Sequence, residues 1–298
     1  MDGFIVLIKH LINGLQVGSI YALVALGYTM VYGIVKLINF AHGDFIMVGA
    51  YISLMCIPFM ISAGLPVWLC MVVAAVFCAL LGVVTERVAY KPLRNSPRIT
   101  ALITAIAVSL LLQNLFMLLF GSASKPYPEV FSTEQMGVAG VQISSSTVVT
   151  IILSVGCMAL LQLFVKKTRM GKAMRAVSED MAAAQLMGIN VNTTISLTFA
   201  IGCALAAMAA VMYCSAYPLV NPYMGSLLGL KAFIAAVLGG IGIIPGAMLG
   251  GFVVGIVESL TKAYISSQLA DAVVFGILIV VLLVKPTGVL GKNVGEKV

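Results

Sequence analysis

The sequence predicts an all-α fold, a polytopic bundle of about nine transmembrane helices in a single domain covering residues 1–298. Hydrophobic residues make up 61% of the chain and charged residues only 9%, whereas soluble domains average about 45–50% apolar and about 25% charged residues. The mean hydropathy is +1.13. Apolar runs of the roughly 20 residues that a helix needs to cross a bilayer alternate with short polar breaks along the chain.

The apolar runs define nine predicted spans. Residues 1–10 form a short segment that we expect to lie along the membrane surface before the first span. Gly14 and Gly18, and further on Gly242, Gly246 and Gly250, follow a four-residue spacing that lets another helix approach closely. The segments between 227 and 266 are either full spans or a re-entrant pair, so counts from eight to ten stay open. The predicted spans cover residues 11–35, 45–62, 67–84, 99–120, 147–165, 191–216, 227–242, 246–266 and 270–284.

The basic residues predict which ends of the spans face the cytoplasm. Thirteen of the seventeen Lys and Arg residues lie at Lys36, in residues 87–98, in residues 166–175 and in the C-terminal tail. Loops rich in Lys and Arg stay on the cytoplasmic side, so nine spans place the N-terminus outside. The longest break without a basic cluster, residues 121–146, is then predicted to be periplasmic.

Composition and motifs argue against several functional classes. The net charge of +7 is concentrated in breaks between spans, so it does not indicate a nucleic-acid surface. The six cysteines lie in apolar stretches without a CxxC pair, and two histidines cannot form a multi-histidine metal site. The sequence contains no Walker A pattern, so a partner must use any ATP. We predict no catalytic residues and no metal ligands.

A few ionisable residues lie within or beside the predicted spans. Glu258 and Lys262 are four residues apart, on one helix face, and we expect them to neutralise each other; a substrate contact is the alternative. Lys231 is alone in an apolar run and is expected to reach the outer interface. His42 and Asp44 could form a proton relay, but their position at the end of a span favours an interfacial location.

The longest polar insert, residues 166–190, reads KKTRMGKAMRAVSEDMAAAQLMGIN. Five of its first ten residues are basic, and Glu179 and Asp180 precede a helical run that leads to Gly188. Glycine suits the left-handed position that ends a helix. The insert is either a solvated cytoplasmic loop that only fixes topology or a segment that couples the chain to a partner.

Six stretches of the sequence are more distinctive than the short motifs described above. They are GLQVGSIYALVALGYTMVYGI, INFAHGDFIMVGAY, ERVAYKPLR, RMGKAMRAVSED, NPYMG and LKAFIAAVLGGIGIIPGAMLGG, in this order. Together they cover nearly the whole chain, and they resemble the LivH-type permease subunits of bacterial branched-chain amino-acid ABC importers. The resemblance implies a multi-pass protein of the bacterial inner membrane that translocates leucine, isoleucine or valine.

The resemblance also implies the partners of the chain. It implies a heterodimer with a second, related permease, two cytoplasmic ATPase subunits that use ATP and Mg, and a periplasmic substrate-binding protein. No cofactor is implied in this chain itself. Because binding proteins largely decide specificity in such importers, the preferred amino acid stays open.

A coupling helix is also implied by the resemblance. Permeases of ABC importers dock on their ATPases through a motif that reads EAA, three residues, then Gly. Ala182, Ala183, Ala184 and Gly188 fit this frame, with alanine in place of the glutamate. Whether Glu179 or Asp180 supplies the charge stays open. Arg175 belongs to the same predicted coupling segment.

Four neutral polar residues are candidates for the substrate path, Tyr21, Asn39, Gln113 and Asn114. A path of aliphatic, small and neutral polar groups can pass zwitterions with apolar side chains without trapping a counter-ion. Each of the four could instead hydrogen-bond a neighbouring helix.

Two halves in inverted orientation are a further implication of the resemblance. The spacing Asn39-x-x-x-Gly43 on the predicted inner side recurs as Asn221-x-x-x-Gly225 on the predicted outer side. Chance could also produce this pair.

Two other functional classes compete with the importer. An ion-coupled secondary transporter of small neutral solutes would need a carboxylate deep in the bilayer, for which Glu258 is the candidate. A polytopic membrane enzyme would need clustered His, Asp or Cys residues, which the sequence lacks.

Overall fold

A computed structural model describes residues 2–36, 39–94, 96–131, 135–138 and 141–291. Helices dominate this part of the chain, and the few strands are two to four residues long. The α-helices are α1 Asp2–Val35, α2 Asp44–Ser62, α3 Leu69–Thr85, α4 Arg98–Phe120, α5 Ser145–Lys167, α6 Arg169–Glu179, α7 Met181–Leu186, α8 Val191–Ala216, α9 Met224–Gly239, α10 Ile244–Tyr264 and α11 Ala270–Val284.

Short elements complete the fold. A 3₁₀ turn at Phe40–Gly43 leads into α2, while a π-helix at Glu86–Tyr90 and a 3₁₀ turn at Lys91–Leu93 follow α3. The strands are β1 Lys125–Pro126, β2 Gln135–Val138, β3 Val141–Ser144 and β4 Leu219–Val220. Strand β2 pairs antiparallel with β3, and β1 pairs antiparallel with β4.

The helices confirm the predicted polytopic bundle. Among the described residues, seven helices are long and apolar enough to cross a membrane, and α9 and α11 are shorter apolar helices. These nine elements correspond to the nine predicted spans. Two of them, α8 and α11, begin and end where the sequence predicts.

The first helix corrects one expectation. Residues 1–10 were expected to form a separate surface segment, but α1 is continuous over 34 residues from Asp2 to Val35. At 1.5 Å per residue it is about 51 Å long, well beyond the roughly 30 Å hydrocarbon core. No proline interrupts the helical hydrogen bonds near residue 10, so the helix continues without a break from the apolar residues 4–8 into the span.

Close helix contacts occur where the sequence places the glycine spacing. A Cβ added at Gly14 would lie 2.7 Å from the Cα of Ile256, and one added at Gly18 would lie 2.8 Å from the Cα of Phe252. The backbones of α1 and α10 therefore touch along two turns, which confirms the predicted close approach. Gly246 and Gly250 of α10 pack in the same way against α9.

The course of α9 and α10 decides between full spans and a re-entrant pair. The chain leaves β4, runs through α9 to Gly239, and returns through α10 to Tyr264. Gly242, in the connection, lies against Gly33 near the end of α1, whereas Lys262 in the last turn of α10 lines a cavity with Tyr217, just before β4. The two helices thus run between opposite ends of the bundle, and a re-entrant hairpin is not observed.

Helices α2 and α9 meet at their first residues, and each is preceded by a similar asparagine turn. Asn39 Oδ1 accepts a hydrogen bond from the N–H of Ala41, and Asn221 Oδ1 accepts the equivalent bond from Tyr223. Four residues beyond each asparagine, Gly43 and Gly225 touch each other. The two Asn-x-x-x-Gly stretches therefore share a local turn and meet, while a wider inverted repeat stays a prediction.

The predicted cytoplasmic breaks lie together at one end of the bundle. Lys36, Glu179 and Pro286 line one cavity there, and Arg94 donates a 2.6 Å hydrogen bond to Asn192 at the start of α8. The pairing of β1 with β4 lies at the opposite end. This grouping agrees with the topology that the positive-inside rule predicts.

Candidate functional site: coupling segment and outer cavity

The coupling segment, residues 166–190, consists of two short helices that are anchored at the bundle and capped at both ends. Thr168 Oγ1 accepts a 3.0 Å hydrogen bond from the N–H of Gly171 and so caps α6. Met174 and Val177 of α6 are buried against the bundle, whereas Arg175 is exposed and donates to the carbonyl of Lys166. Helix α6 therefore fixes the segment to the membrane domain.

Asp180 begins α7, and Gly188 ends it. The Oδ1 atom of Asp180 accepts hydrogen bonds from the N–H groups of Ala182 and Ala183 at 2.8 and 3.0 Å. At the other end Gly188 has a φ of 80°, its N–H donates to Gln185, and the N–H of Ile189 donates to Ala184. These bonds form a Schellman motif, which confirms the predicted left-handed glycine. Asp180 thus serves as a helix cap, while Glu179 is exposed at the end of α6.

Two alanines of α7 and two large apolar residues at its C-terminal end are exposed. Ala182 and Ala183 are exposed, while Ala184 is buried against the bundle. Leu186 is 89% exposed and Met187 82% exposed. The sequence interpretation named the alanines and the glycine but missed Leu186 and Met187, which occupy variable positions of the motif. The sequence signal that could have indicated them is the presence of large apolar side chains within a polar insert.

Two hydrogen bonds join an ion pair in the break after α3 to the start of α8. Glu86 is fully buried, pairs with Arg94, and accepts a 2.6 Å hydrogen bond from the hydroxyl of Ser196. Arg94 also donates to Asn192, two residues beyond Asn190, whose side chain caps α8. Both the entry and the C-terminal exit of the coupling segment are therefore in contact with the bundle.

The opposite end of the bundle contains a cavity of about 620 Å³, which we call the outer cavity. Helices α8 to α11 and the middle of α1, at Val17 and Tyr21, form its walls. Its charged lining residues are two lysines and two carboxylates, and tyrosines and apolar side chains form much of the rest. The charged residues are Lys231, Glu258, Lys262 and Asp271; the tyrosines are Tyr21, Tyr213, Tyr217 and Tyr223.

The charged residues of the outer cavity form one network centred on Glu258. Its Oε1 atom lies 2.9 Å from the Nζ of Lys231 and 2.6 Å from the Nζ of Lys262. The hydroxyl of Tyr21 donates to its Oε2 atom at 2.7 Å. Lys231 also pairs with Asp271 at 2.6 Å. The predicted pair of Glu258 and Lys262 is present, but it is part of a larger network.

Two sequence expectations about buried charge are wrong. Lys231 was expected at the outer interface, yet it is buried, because Glu258 and Asp271 on neighbouring helices neutralise it. His42 and Asp44 were expected at the interface, yet both are buried where α2 begins. The turn at Phe40–Gly43 lies within the bundle, which places the two side chains inside. Sequence spacing could not show the distant partners of Lys231.

The surroundings of His42 do not form a proton relay with Asp44. The His42 ring lies edge-on to Tyr28, with centroids 4.6 Å apart, and neither of its nitrogens makes a hydrogen bond among the described residues. Asp44 instead accepts a 2.9 Å hydrogen bond from Gln113, which also donates to Ser226.

The four path candidates lie in three places. Tyr21 lines the outer cavity, while Asn39 and Gln113 lie near the start of α2, where Asn39 accepts a hydrogen bond from Tyr90. Asn114 is exposed on α4 and donates to the carbonyl of Leu110. No hydrogen bond joins any two of the four, and their role in a path stays a prediction.

Comparison with known proteins identifies the family. Residues 10–283 match the family model described as "Branched-chain amino acid transport system / permease component". The chain belongs to this permease family. It is a multi-pass protein of the inner membrane, a transport subunit rather than a catalytic enzyme.

Curated relatives of this permease are similar over their full length. The high-affinity branched-chain amino acid transport system permease protein LivH of Escherichia coli (strain K12) is 46% identical, and the alignment covers 100% of this chain and 99% of LivH. The corresponding BraD protein of Pseudomonas aeruginosa is 46% identical, with 98% of each chain covered. A probable LivH protein of Methanocaldococcus jannaschii is 31% identical, with 95% of this chain and 92% of that protein covered.

Proposed function

We propose that this permease is a membrane-spanning subunit of an ATP-driven importer that translocates leucine, isoleucine and valine delivered by a periplasmic binding protein. The observation that carries the proposal is the full-length similarity to permeases named for high-affinity branched-chain amino acid transport. In this proposal the chain pairs with a second, related permease, and two cytoplasmic ATPases bind and hydrolyse ATP with Mg. The chain itself supplies no cofactor.

The proposed ATPase contact is the exposed surface of α7. Leu186 and Met187 present large apolar side chains beside the small residues Ala182 and Ala183. Exposed apolar patches of this kind mark protein–protein contacts. Caps at both ends hold α7 in one conformation. Because α7 is then rigid, a movement of the ATPase against it would be transmitted to α6 and α8. In this assignment Arg175 and Glu179 lie beside the contact, and Asp180 and Gly188 shape the helix.

Reconstitution of the whole complex tests the function. The two permeases and the ATPases are placed in liposomes with internal ATP and Mg, and uptake of radiolabelled leucine is measured with the binding protein outside. Uptake should require ATP hydrolysis and should survive an uncoupler. Uptake that an uncoupler abolishes while ATP remains would instead support an ion-coupled secondary transporter.

Substitutions in α7 test the ATPase contact. Ala183→Trp places a large side chain at the proposed interface, and Leu186→Ser with Met187→Ser removes its apolar surface. Both changes should reduce co-purification of the ATPases and substrate-stimulated ATP hydrolysis, because the ATPase loses a complementary surface, while the two permeases still assemble. Leu163→Ser, on the exposed face of α5, is a control outside this surface. Normal uptake and ATPase recovery in Ala183→Trp would contradict the assignment and indicate that the segment is a cytoplasmic loop that only fixes topology.

A further inference from the structure

We propose that the outer cavity binds the α-ammonium and α-carboxylate groups of the transported amino acid, with Asp271 and Lys262 as the two contact residues. This inference rests on the proposed function and adds a site within the permease itself. The cavity lies at the end of the bundle opposite the coupling segment, where a periplasmic binding protein would release its substrate.

The charges of the cavity are arranged in a buried layer and a rim. Lys231 and Glu258 have side chains only 5% and 3% exposed, and they lie 2.9 Å apart. Lys262 and Asp271 have side chains that are each 42% exposed. One positive and one negative charge therefore face the cavity, and the buried pair behind them has no net charge.

Each rim residue has capacity left for a solute. An ammonium has three N–H donors, and Lys262 directs one of them to Glu258. A carboxylate can accept several hydrogen bonds through two oxygens, and Asp271 uses Oδ1 for Lys231. Because Lys231 and Tyr21 still satisfy Glu258, Lys262 can turn to a substrate carboxylate without leaving a buried charge unpaired.

This arrangement selects zwitterions. A solute with one ammonium and one carboxylate pairs with both rim residues and leaves the cavity neutral. A solute with a net charge leaves one charge in the cavity without a partner, which lowers its affinity relative to a zwitterion. The apolar lining residues Leu219, Leu227 and Leu228 provide a surface for an aliphatic side chain, and the volume of about 620 Å³ lies in the range of small-molecule sites.

A purely structural role would make a different prediction. Charged pairs that only join helices gain little over apolar packing, and removing a rim residue would then act through stability alone. If the cavity binds the substrate, the bound amino acid should also shield the residues that line the cavity from reagents in solution. The test therefore measures uptake and protection separately.

The uptake test uses the reconstituted complex with its binding protein. Lys262→Gln and Asp271→Asn should each lower leucine uptake at least tenfold, with wild-type recovery of the partner permease and ATPases. Lys9→Gln, which removes an exposed lysine from α1 outside the outer cavity, should transport normally. Normal uptake in both rim variants would overturn the site and leave the proposed function intact, whereas no leucine uptake by the wild-type complex would refute the function itself.

The protection test keeps all four charges, so it decides the question even if a rim variant does not assemble. Ser267 lines the outer cavity and is exposed. In a cysteine-free background, Ser267→Cys should react with an impermeant thiol reagent, and leucine with its binding protein should slow this reaction at least threefold. An unchanged rate, measured under conditions in which uptake proceeds, would overturn the proposal.

Discussion

Gly43 and Gly225 touch backbone to backbone where α2 and α9 begin. A Cβ added to Gly43 would lie 3.0 Å from the Cα of Gly229, and one added to Gly225 would lie 3.1 Å from the Cα of Asp44. Both helices therefore begin as close together as their main chains allow. The contact joins two stretches that are 182 positions apart in the chain.

Adding a methyl group at this contact should destabilise the permease. Gly225→Ala places a Cβ against the backbone of the facing turn, and overpacking of this kind costs about 1–3 kcal/mol. We expect lower abundance in membranes and a lower melting temperature in detergent. Gly276→Ala is the matched control, because no atom lies within 4 Å of a Cβ there. Equal stability of the two variants would contradict the close contact.

The network around Glu258 predicts strongly non-additive substitutions. Lys231→Met and Lys262→Met should each be mild, because the other lysine still pairs with the buried carboxylate. The double variant leaves Glu258 with only the hydroxyl of Tyr21 among the partners described, and an unpaired buried charge costs about 3–5 kcal/mol. Melting temperatures of the four combinations measure this coupling. A double variant whose loss equals the sum of the two single losses would show that the lysines do not share Glu258.

The topology predicts opposite thiol accessibility at the two ends of the bundle. In a cysteine-free background, Ser124→Cys in the break after α4 should react with an impermeant thiol reagent in intact cells. Gln185→Cys in α7 should react only after permeabilisation. Both positions are exposed, so a difference in labelling reports the side of the membrane. The reverse pattern would invert the topology.

Tyr127 should make stability fall at high pH. Its hydroxyl donates a 2.8 Å hydrogen bond to Ser53, and burial raises the pKa of Tyr127 well above its ordinary value of about 10. The unfolded chain loses this proton first, so the stabilising contribution is complete below pH about 10 and is lost as the pH rises above it. The slope contributed by one proton is about 1.4 kcal/mol per pH unit.

Tyr127→Phe tests this contribution. The variant should be less stable near neutral pH, because the hydroxyl group of Ser53 loses its donor, but its stability should fall less steeply above pH about 10. Unfolding in detergent as a function of pH measures both effects. Slopes that are the same for the variant and the wild type would show that Tyr127 does not titrate differently in the two states.

Local sequence signals predicted the helices well because hydropathy accumulates over each span. Helix α8 begins at Val191 after the capping residue Asn190, and α11 ends before Lys285 and Pro286, so polar and proline residues mark these boundaries. Gly188 was predictable for the same reason, since its left-handed turn is a local requirement.

The sequence did not reveal which ionisable residues meet. Lys231 resembles an isolated charge in an apolar run, yet its partners Glu258 and Asp271 are 27 and 40 positions away and belong to other helices. His42 seemed interfacial because a polar break normally leaves the membrane. Here the turn at Phe40–Gly43 lies within the bundle, which only the packing of α2 against α9 shows.

The meeting of α2 and α9 also has an electrical consequence. Each helix N-terminus carries about half a positive charge, and the single carboxylate of Asp44 lies in the first turn of α2, linked through Gln113 to Ser226 in the first turn of α9. When Asp44 is ionised, two half charges and one full charge cancel. The membrane potential acts on an elementary charge with about 2.3 kcal/mol per 100 mV, so this junction, whose charges then cancel, presents close to no net charge to the field.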